Sequence, residues 1–327
     1  MKISVIIPIY NVSRFIAHCV ESLMKQTLDE IEYIFVNDAT PDNSMDILHS
    51  VLACFPQKTS QIKIIEHKFN KGLPSARNTG LSVAMGEYIY HCDSDDYLDE
   101  RMLEDLYNVA KEKDADFVWC DWFLSYENNE RYMKQPSFDN PIETLMGMLD
   151  GSMKYNVWNK LVKRSLYVDN DIEFPNGHAM GEDMTMIRLA ACAEKVAYVS
   201  KALYHYVRSN SEAMTQVYSE RHLADVCHNV DETLEFLAIK GLDAEREIAF
   251  FKLNVKLPLL ITGNWKAYRR WNELYPETNK YIIVNDKISW RTRFLQWMAA
   301  KKIYLYVWVY YQLIYRCLYT IIFKKLW

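Results

Sequence analysis

The stretch that decides the fold is His91-Cys92-Asp93-Ser94-Asp95-Asp96, which follows the β-forming run Tyr88-Ile89-Tyr90. A helical pattern begins shortly after it, so the carboxylates lie where a strand gives way to a loop. Open α/β sheets bind their ligands at this carboxyl edge. Asp93 and Asp95 are two residues apart and point the same way in extended chain. Their oxygens therefore suit Mg²⁺ or Mn²⁺ shared with a diphosphate, although an acidic turn that caps a helix has the same pattern.

Three further β-branched runs precede this motif, at residues 3–9, 31–36 and 62–66, and each is followed by turn residues and a helical pattern. Strands that alternate with helices predict a mostly parallel, doubly wound sheet. The turn after the first strand contains no GxGxxG, and no GxxxxGK[ST] appears in the chain. The sequence thus disfavours the dinucleotide and P-loop folds, and leaves metal-bound carboxylates with Lys71 and Arg77 to hold phosphate.

Composition narrows the class of protein. The chain has 327 residues, of which half are hydrophobic and a quarter are charged, as in an ordinary globular enzyme. Its seven cysteines contain no CxxC pair, which favours reduced thiols in the cytoplasm over a disulfide framework or a zinc site. The net charge of −5 is unevenly placed, since residues 286–327 hold eight Lys or Arg against one acid. An acidic body with a basic, aromatic tail argues against a nucleic-acid partner and favours a membrane surface.

The tail also contains an apolar run at residues 303–323, bracketed by Lys301-Lys302 and Lys324-Lys325. Its length would span a bilayer, but its six tyrosines and Arg316 are typical of the interface. We therefore predict a helix that lies in the headgroup region and is attracted by anionic lipid. A spanning helix and a tail packed on the protein itself are the alternatives.

Five motifs in order resemble family 2 glycosyltransferases of the GT-A fold, of the bacterial cell-surface polysaccharide type. They cover roughly residues 1–120, and a looser resemblance continues to about residue 215 through Trp158-Asn159-Lys160-Leu161, Gly181-Glu182-Asp183-Met184 and Tyr204-His205-Tyr206-x-Arg208-x-x-Ser211. The five are Pro8-x-Tyr10-Asn11, Glu21-Ser22-Leu23-x-x-Gln26, Val36-Asn37-Asp38-Ala39-Thr40, Asn70-x-Gly72-x-x-x-Ala76-Arg77-Asn78-x-Gly80 and Asp93-Ser94-Asp95-Asp96.

The resemblance implies a role for each residue on the donor side. Asp38 would accept a hydrogen bond from the ring N–H of uracil or a similar base, and Asp93 would bind ribose or hold the loop. The wall of the base pocket would be formed by Pro8, Tyr10 and Asn11. The base or the diphosphate would contact Arg77 and Lys71, and the diphosphate would also contact Arg208 and Ser211. The metal would be held by Asp95, Asp93 and His205. Without the resemblance, Asp38 is typical of a turn, Arg77 of a helix surface, and His205 of an ordinary buried or surface histidine. His178 is an alternative to His205 as the third metal ligand.

On the acceptor side, the resemblance implies that an acid of the Glu182-Asp183 pair removes the proton from the attacking hydroxyl. Asp183 is the predicted base and Glu182 would position the acceptor or the loop, although acids in a first helical turn are also ordinary dipole partners. Trp158 would stack on a sugar face and Asn159 would bind a hydroxyl. The alternative is that these residues are ordinary core and surface positions.

The resemblance thus predicts an inverting, Mn²⁺- or Mg²⁺-dependent transferase that moves a sugar from a UDP-type donor to a glycan or lipid-linked acceptor. A sugar nucleotidyltransferase and a non-catalytic nucleotide-sugar-binding module are the alternatives. The predicted organisation is a GT-A domain over 1–215 (nucleotide half 1–120, acceptor half 121–215), a helical extension over 216–285 and the tail over 286–327. We expect the protein at the inner face of the cytoplasmic membrane.

Overall fold

The computed structural model describes residues 1–179, 181–208 and 220–319. The chain divides into two compact units. The first unit contains Met1–Leu145 and Lys154–Gly241, and the second contains Met146–Met153 and Leu242–Trp327. The helix after residue 220 thus groups with the first unit, whereas the sequence places a boundary near residue 215.

A single mixed sheet organises the first unit. Within the described residues it has nine strands, eight of them in the order β3-β2-β1-β4-β8-β6-β9-β5, while β7 pairs with β6. The four strands predicted from the sequence form the parallel half, and strands β8, β6 and β9 extend it on the other side. The strands are β1 (Ile3–Ile9), β2 (Ile31–Asn37), β3 (Ile62–Glu66), β4 (Tyr88–His91), β5 (Tyr97–Leu98), β6 (Phe117–Ser125), β7 (Glu130–Met133), β8 (Lys160–Lys163) and β9 (Val196–Val207).

The central strands have continuous apolar sequences because both of their faces are buried. Every residue of β1 is buried, because β1 lies between β2 and β4 and helices cover the sheet. The helices that begin in the first unit are α1 (Ile16–Met24), α2 (Ser44–Leu52), α3 (Leu73–Ser82), α4 (Met102–Glu112), α5 (Pro141–Asp150), α6 (Arg164–Asp169), α7 (Glu182–Ala190) and α8 (Glu220–Ile239).

The second unit is helical. Its core includes Lys256, whose buried Nζ donates to the carbonyls of Leu274 (3.0 Å) and Tyr275 (3.2 Å) and to Asn279 Oδ1 (2.9 Å). Its helices are α9 (Glu245–Lys256), α10 (Trp265–Glu273), α11 (Trp290–Ala300) and α12 (Tyr304–Tyr310), and a π-helical segment follows at Tyr311–Tyr319. Within the described ranges, no helix combines the length and apolar character needed to cross a bilayer.

Candidate active site

A cavity of about 700 Å³ lies at the carboxyl edge of β1, β2 and β4. Its walls combine four of the five sequence motifs with a loop before α7 and the first turns of α8. The motif residues that line it are Pro8, Tyr10, Asn11, Asp38, Asn70, Lys71, Gly72, Ala76, Asp93, Ser94 and Asp95, and the later residues include Gly177, His178, Ala179, Tyr206, Arg221, His222 and Asp225. Parallel strands that end at one edge bring these separate motifs together, as the sequence pattern predicts.

Asp38 follows β2 directly and organises one wall of the cavity. Its Oδ1 accepts the backbone N–H of Lys71 at 2.8 Å and pairs with Nδ1 of His67 at 2.7 Å, while Oδ2 accepts the N–H of Gly72 at 2.8 Å. A carboxylate offers about four acceptor positions. One position on Oδ2 is therefore left for a ligand after these three bonds. No motif in the sequence indicates that His67 supports Asp38.

Replacement of Asp38 by asparagine should weaken both the fold and nucleotide binding. An amide would turn an N–H₂ group toward the backbone donors of the 71–72 turn, and we expect the free energy of unfolding to fall by about 2 kcal/mol. Urea denaturation and calorimetric titration with UDP would measure the two effects. Asp46→Asn, at an exposed position of α2, is the matched control. Equal stability of Asp38→Asn and the control would contradict this role.

Arg77 lies beneath the acidic motif. It is 1% exposed, and its Nη2 donates to Asp93 Oδ1 at 2.5 Å. Burial alone would lower the pKa of this guanidinium, but Asp93, Glu182 and Asp183 raise it, so the charge is retained. In the described part of the chain, Nε and Nη1 of Arg77 are buried without a hydrogen-bond partner. Arg77 is not among the residues that line the cavity, so it places a fixed positive charge behind Asp93 and favours an anionic ligand through that charge.

Asp93 and Asp95 supply the chemistry for a divalent cation. Both line the cavity, and Ser94 between them donates to the carbonyl of Pro8 at 2.6 Å, which fixes the loop against β1. Among the described residues, no group of three or more His, Cys, Asp or Glu is placed to hold a metal by itself. Mg²⁺ is commonly bound by one or two carboxylates and completed by substrate phosphates. The donor set therefore fits a cation that binds together with a diphosphate.

Asp96 has a different position from its two neighbours. It is 2% exposed, accepts the hydroxyl of Tyr204 at 2.6 Å and the N–H of Val207 at 2.7 Å, and so joins the acidic loop to β9. Burial raises the pKa of this carboxyl, and the nearby Asp95 and Asp93 raise it further. Its hydrogen bonds indicate a structural role.

Glu182 and Asp183 form the first turn of α7, after Gly181. Burial raises the pKa of Glu182 to about 7 and that of Asp183 to about 6. Arg77 and the N–H of Val157, which Asp183 Oδ1 accepts at 2.9 Å, act in the opposite direction on Asp183. The helix dipole favours the charged carboxylates and lowers their pKa values, but the effect of burial, which raises these pKa values, is larger. A carboxylate with a pKa near neutrality is suited to accept a proton.

The residues expected to meet the acceptor are placed in the protein interior. Trp158 is 7% exposed and stacks on Tyr204, with ring centroids 4.4 Å apart. The side chain of Asn159 is buried, with Nδ2 donating to the carbonyl of Cys120 at 2.7 Å and Oδ1 accepting from Nζ of Lys160 at 2.7 Å. Burial lowers the pKa of Lys160 to about 7, while the nearby Asp183 acts to raise it. The structure thus brings Lys160, to which the sequence assigned no role, close to the predicted base.

His205 lies away from the cavity. Side chains alternate along a strand, and it is Tyr206, the next residue of β9, that lines the cavity. The Nδ1 of His205 pairs with Glu130 Oε1 at 2.7 Å, and its ring stacks on Tyr97. Arg208 is exposed at the end of β9, and its backbone N–H donates to the carbonyl of Ser125. Ser211 lies outside the described residues.

Comparison with known proteins agrees with the geometry. The family model for glycosyl transferase family 2 matches residues 4–185. The glycosyltransferase GlyG of Streptococcus pneumoniae is 31% identical over 253 residues, which cover 74% of this chain and 82% of GlyG. The uncharacterized glycosyltransferase EpsJ of Bacillus subtilis is 33% identical over 224 residues, and the match covers 66% of this chain but only 63% of EpsJ.

Among solved structures, residues 1–349 of S. aureus TarS, crystallised in complex with UDP-GlcNAc, have the same fold. The TM-score is 0.71 at 24% identity, and the alignment covers 95% of this chain and 92% of that one. The fold is therefore the predicted GT-A type, a mixed α/β sheet flanked by helices with a helical C-terminal region. The chain belongs to glycosyl transferase family 2. It is a glycosyltransferase.

Proposed function

We propose that this glycosyltransferase moves a sugar from a UDP-type nucleotide diphosphate to a hydroxyl of a glycan or lipid-linked acceptor, with inversion at the anomeric carbon. The observation that carries the proposal is the single cavity lined by Asp38, Asp93 and Asp95. The Glu182–Asp183 pair, of which Glu182 is buried and Asp183 partly buried, lies within electrostatic reach of Asp93 and Arg77. Nucleotide recognition, charge for a diphosphate and a proton acceptor are thus close together.

In the proposed donor complex, the remaining acceptor position of Asp38 Oδ2 binds the ring N–H of uracil. Pro8, Tyr10 and Asn11 form the wall against the base, and Lys71 and Arg77 supply positive charge for the diphosphate. The complex of TarS with UDP-GlcNAc supports a UDP-type donor on this fold. We assign Arg208 and Ser211 to the diphosphate from the sequence motif alone.

For the metal, we propose Mn²⁺ or Mg²⁺ held by Asp95 and by the Oδ2 atom of Asp93. Bound there, the cation would stabilise the negative charge that develops on the departing diphosphate. Arg77 keeps Asp93 oriented through Oδ1 and adds a second positive charge behind it. We do not include His205, because its ring nitrogen is committed to Glu130.

In the proposed reaction, the acceptor oxygen forms a bond to the anomeric carbon as the bond from that carbon to the diphosphate breaks. Asp183 takes the proton of the acceptor hydroxyl, and the electron pair of the broken bond leaves with the nucleoside diphosphate. The N–H of Val157 holds the base in place, and Glu182 positions the acceptor or the loop. A single displacement of this kind inverts the anomeric configuration.

A donor panel tests the proposal. UDP-glucose, UDP-galactose, the UDP-N-acetylhexosamines and GDP-mannose are each incubated with the protein and Mn²⁺, and the released nucleoside diphosphate is measured. Release of UDP from one of these donors is the expected result. Release of inorganic diphosphate from UTP and a sugar phosphate would support a nucleotidyltransferase instead. Tight UDP binding with no turnover of any donor would support a binding module.

We further propose that residues 286–327 attach the protein to the inner face of the cytoplasmic membrane. Within the second unit, Leu295, Ala299 and Val307 are fully buried, so one side of α11 and α12 packs on protein. Other apolar side chains are exposed, with Trp290 at 66% and Leu305 at 62%. The neighbouring basic residues are Lys287, Arg291, Arg293, Lys301 and Lys302. Apolar and basic side chains together favour an anionic lipid surface.

Leu305→Glu combined with Leu313→Glu should weaken binding to anionic vesicles by about tenfold or more, since each leucine contributes roughly 2 kcal/mol when buried. Co-sedimentation with phosphatidylglycerol-containing and with purely phosphatidylcholine vesicles measures the effect. Ile239→Glu, at an exposed position of α8 in the first unit, is the control. Failure of the wild type to bind anionic vesicles would contradict the proposal and favour a tail packed only on protein.

A further inference from the structure

Lys160 has a buried ammonium group close to the proposed base. It is the first residue of β8 and is 1% exposed. Its Nζ turns back over the loop 154–159, which precedes β8, and donates to the carbonyls of Lys154 at 3.0 Å and Asn156 at 2.7 Å. The third hydrogen bond goes to Asn159 Oδ1 at 2.7 Å. One side chain thus ties three points of the loop to the beginning of the strand.

These three hydrogen bonds select the charged form of Lys160. An ammonium group has three hydrogens to donate, whereas a neutral amine has only two. A neutral amine would leave one of the three oxygens without its donor, which is unfavourable in the protein interior. Burial acts against the charge and lowers the pKa of Lys160 to about 7, but the nearby Asp183 and Cys120 act to raise it. The ionised carboxylate of Asp183 therefore helps Lys160 to remain charged.

The loop that Lys160 holds also holds the proposed base. The backbone N–H of Val157 lies in the middle of the loop 154–159 and donates to Asp183 Oδ1 at 2.9 Å. Lys160 binds the carbonyl just before this N–H. Asn159, the other partner of Lys160, is fixed to β6 because its Nδ2 donates to the carbonyl of Cys120 at 2.7 Å. A contiguous set of hydrogen bonds therefore leads from the sheet to the carboxylate.

We propose that Lys160 is a positioning residue for the transfer reaction, which holds the loop 154–159 so that the N–H of Val157 fixes the orientation of Asp183. Its ammonium also favours the deprotonated carboxylate, the form that accepts a proton. Lys160 does not line the donor cavity, so it acts through Asp183. The inference rests on the proposed function, because Asp183 is the base only if the protein transfers a sugar to a hydroxyl.

Several groups around Asp183 set the pH dependence of its charge. Burial and Asp93 raise the pKa of its carboxyl, whereas the N–H of Val157, Lys160 and Arg77 lower it. Loss of the ammonium should therefore raise this pKa, by roughly one pH unit for a nearby opposite charge. The charged and titratable groups coupled to Asp183 are Arg77, Asp93, Tyr155, Lys160 and Glu182.

A double-mutant cycle tests whether Lys160 acts through Asp183. Lys160→Met removes the ammonium and keeps an unbranched side chain. We expect kcat to fall about tenfold, as for loss of one positioning hydrogen bond, and the KM for the donor to stay the same. The acid limb of the pH profile should move up by roughly one pH unit. In the Asp183→Asn background, the same substitution should change the residual rate less than about twofold, because the base is already absent.

NMR titration tests the same coupling without turnover. Lys160→Met should raise the pKa of the Asp183 carboxyl. Since coupling is reciprocal, Asp183→Asn should lower the pKa of Lys160, followed at its labelled Cε. This second comparison needs no Lys160 variant, so it decides the matter if Lys160→Met does not fold. Lys154→Met removes a charge from an exposed side chain of the same loop and is the matched control, which should titrate and turn over like the wild type.

Three results would overturn the inference. They are equal losses from Lys160→Met in the wild-type and Asp183→Asn backgrounds, an unchanged acid limb in a Lys160→Met protein that still binds UDP, and an unchanged pKa of Lys160 in Asp183→Asn. The first two would assign Lys160 to the stability of the fold alone. Lack of wild-type turnover across the donor panel would instead count against the proposed function, while the NMR titrations would still show whether Lys160 and Asp183 are coupled.

Discussion

Replacement of Asp183 by asparagine is expected to lower kcat by about 10³-fold, within the range that a positioned general base contributes. The substitution keeps the size of the side chain and an oxygen that can accept the N–H of Val157, so the turn should remain folded. It removes the group that takes the proton of the acceptor hydroxyl. The affinity for UDP should be nearly unchanged, because Asp183 does not line the donor cavity. Steady-state turnover and calorimetric UDP binding measure the two quantities.

The pH profile provides a second readout of the same residue. Burial raises the pKa of Asp183 to about 6, and a base acts only in its deprotonated form. The wild-type rate should therefore be sustained above that pH and decline about tenfold per unit as the pH falls below it. The residual rate of Asp183→Asn should lack this decline.

Glu194→Gln, which removes an exposed carboxylate elsewhere in the first unit, is the control and should retain the wild-type rate and profile. A rate for Asp183→Asn within a few-fold of the wild type would assign the proton transfer to another group. Glu182, whose pKa burial raises to about 7, would then be the candidate.

The second large effect concerns Asp95. Asp95→Asn should reduce Mn²⁺-dependent release of UDP from the donor by about 10²-fold or more, since loss of several kcal/mol of charge stabilisation has this consequence. Treatment of the wild type with EDTA should give a similar loss, and added Mn²⁺ should restore the wild type but not the variant. The neutral amide keeps the side-chain shape, so the acidic loop should still pack on β1 through Ser94.

Glu100→Gln, an exposed acid just beyond the motif, is the matched control and should respond to EDTA and Mn²⁺ like the wild type. Metal-independent turnover by the wild type, or full Mn²⁺ stimulation of Asp95→Asn, would contradict the assignment of Asp95. In that event Lys71 and Arg77 would be left to balance the charge of the diphosphate.

Much of the donor side was predictable, because it depends on local patterns. Apolar runs such as Ile3–Ile9 predict parallel strands, and strands of this kind end at one edge, so Asp38 and Asp95 could be placed together without coordinates. The positions of β1 to β4 confirm this part of the prediction. The family match confirms the class of enzyme.

The acceptor side was less predictable, because it depends on contacts between distant segments. Nothing in the helical pattern of α8 shows that Arg221 and Asp225 line the donor cavity, or that Asn229 packs on Gly181. The family resemblance implies that Trp158 and Asn159 meet the acceptor, but in the structure Trp158 packs on Tyr204. Side chains alternate along β9, so His205 and Tyr206 lie on opposite faces, and the observed position of this strand shows that Tyr206 is the one that meets the cavity.

A crystal structure of the protein with UDP and Mn²⁺ tests the central claim most directly. We predict the uracil ring N–H on Asp38 Oδ2, the cation between the diphosphate and Asp95, and the carboxylate of Asp183 facing the end of the diphosphate where the sugar would be attached. Nucleotide bound outside this cavity, or Asp183 remote from the diphosphate, would contradict the account.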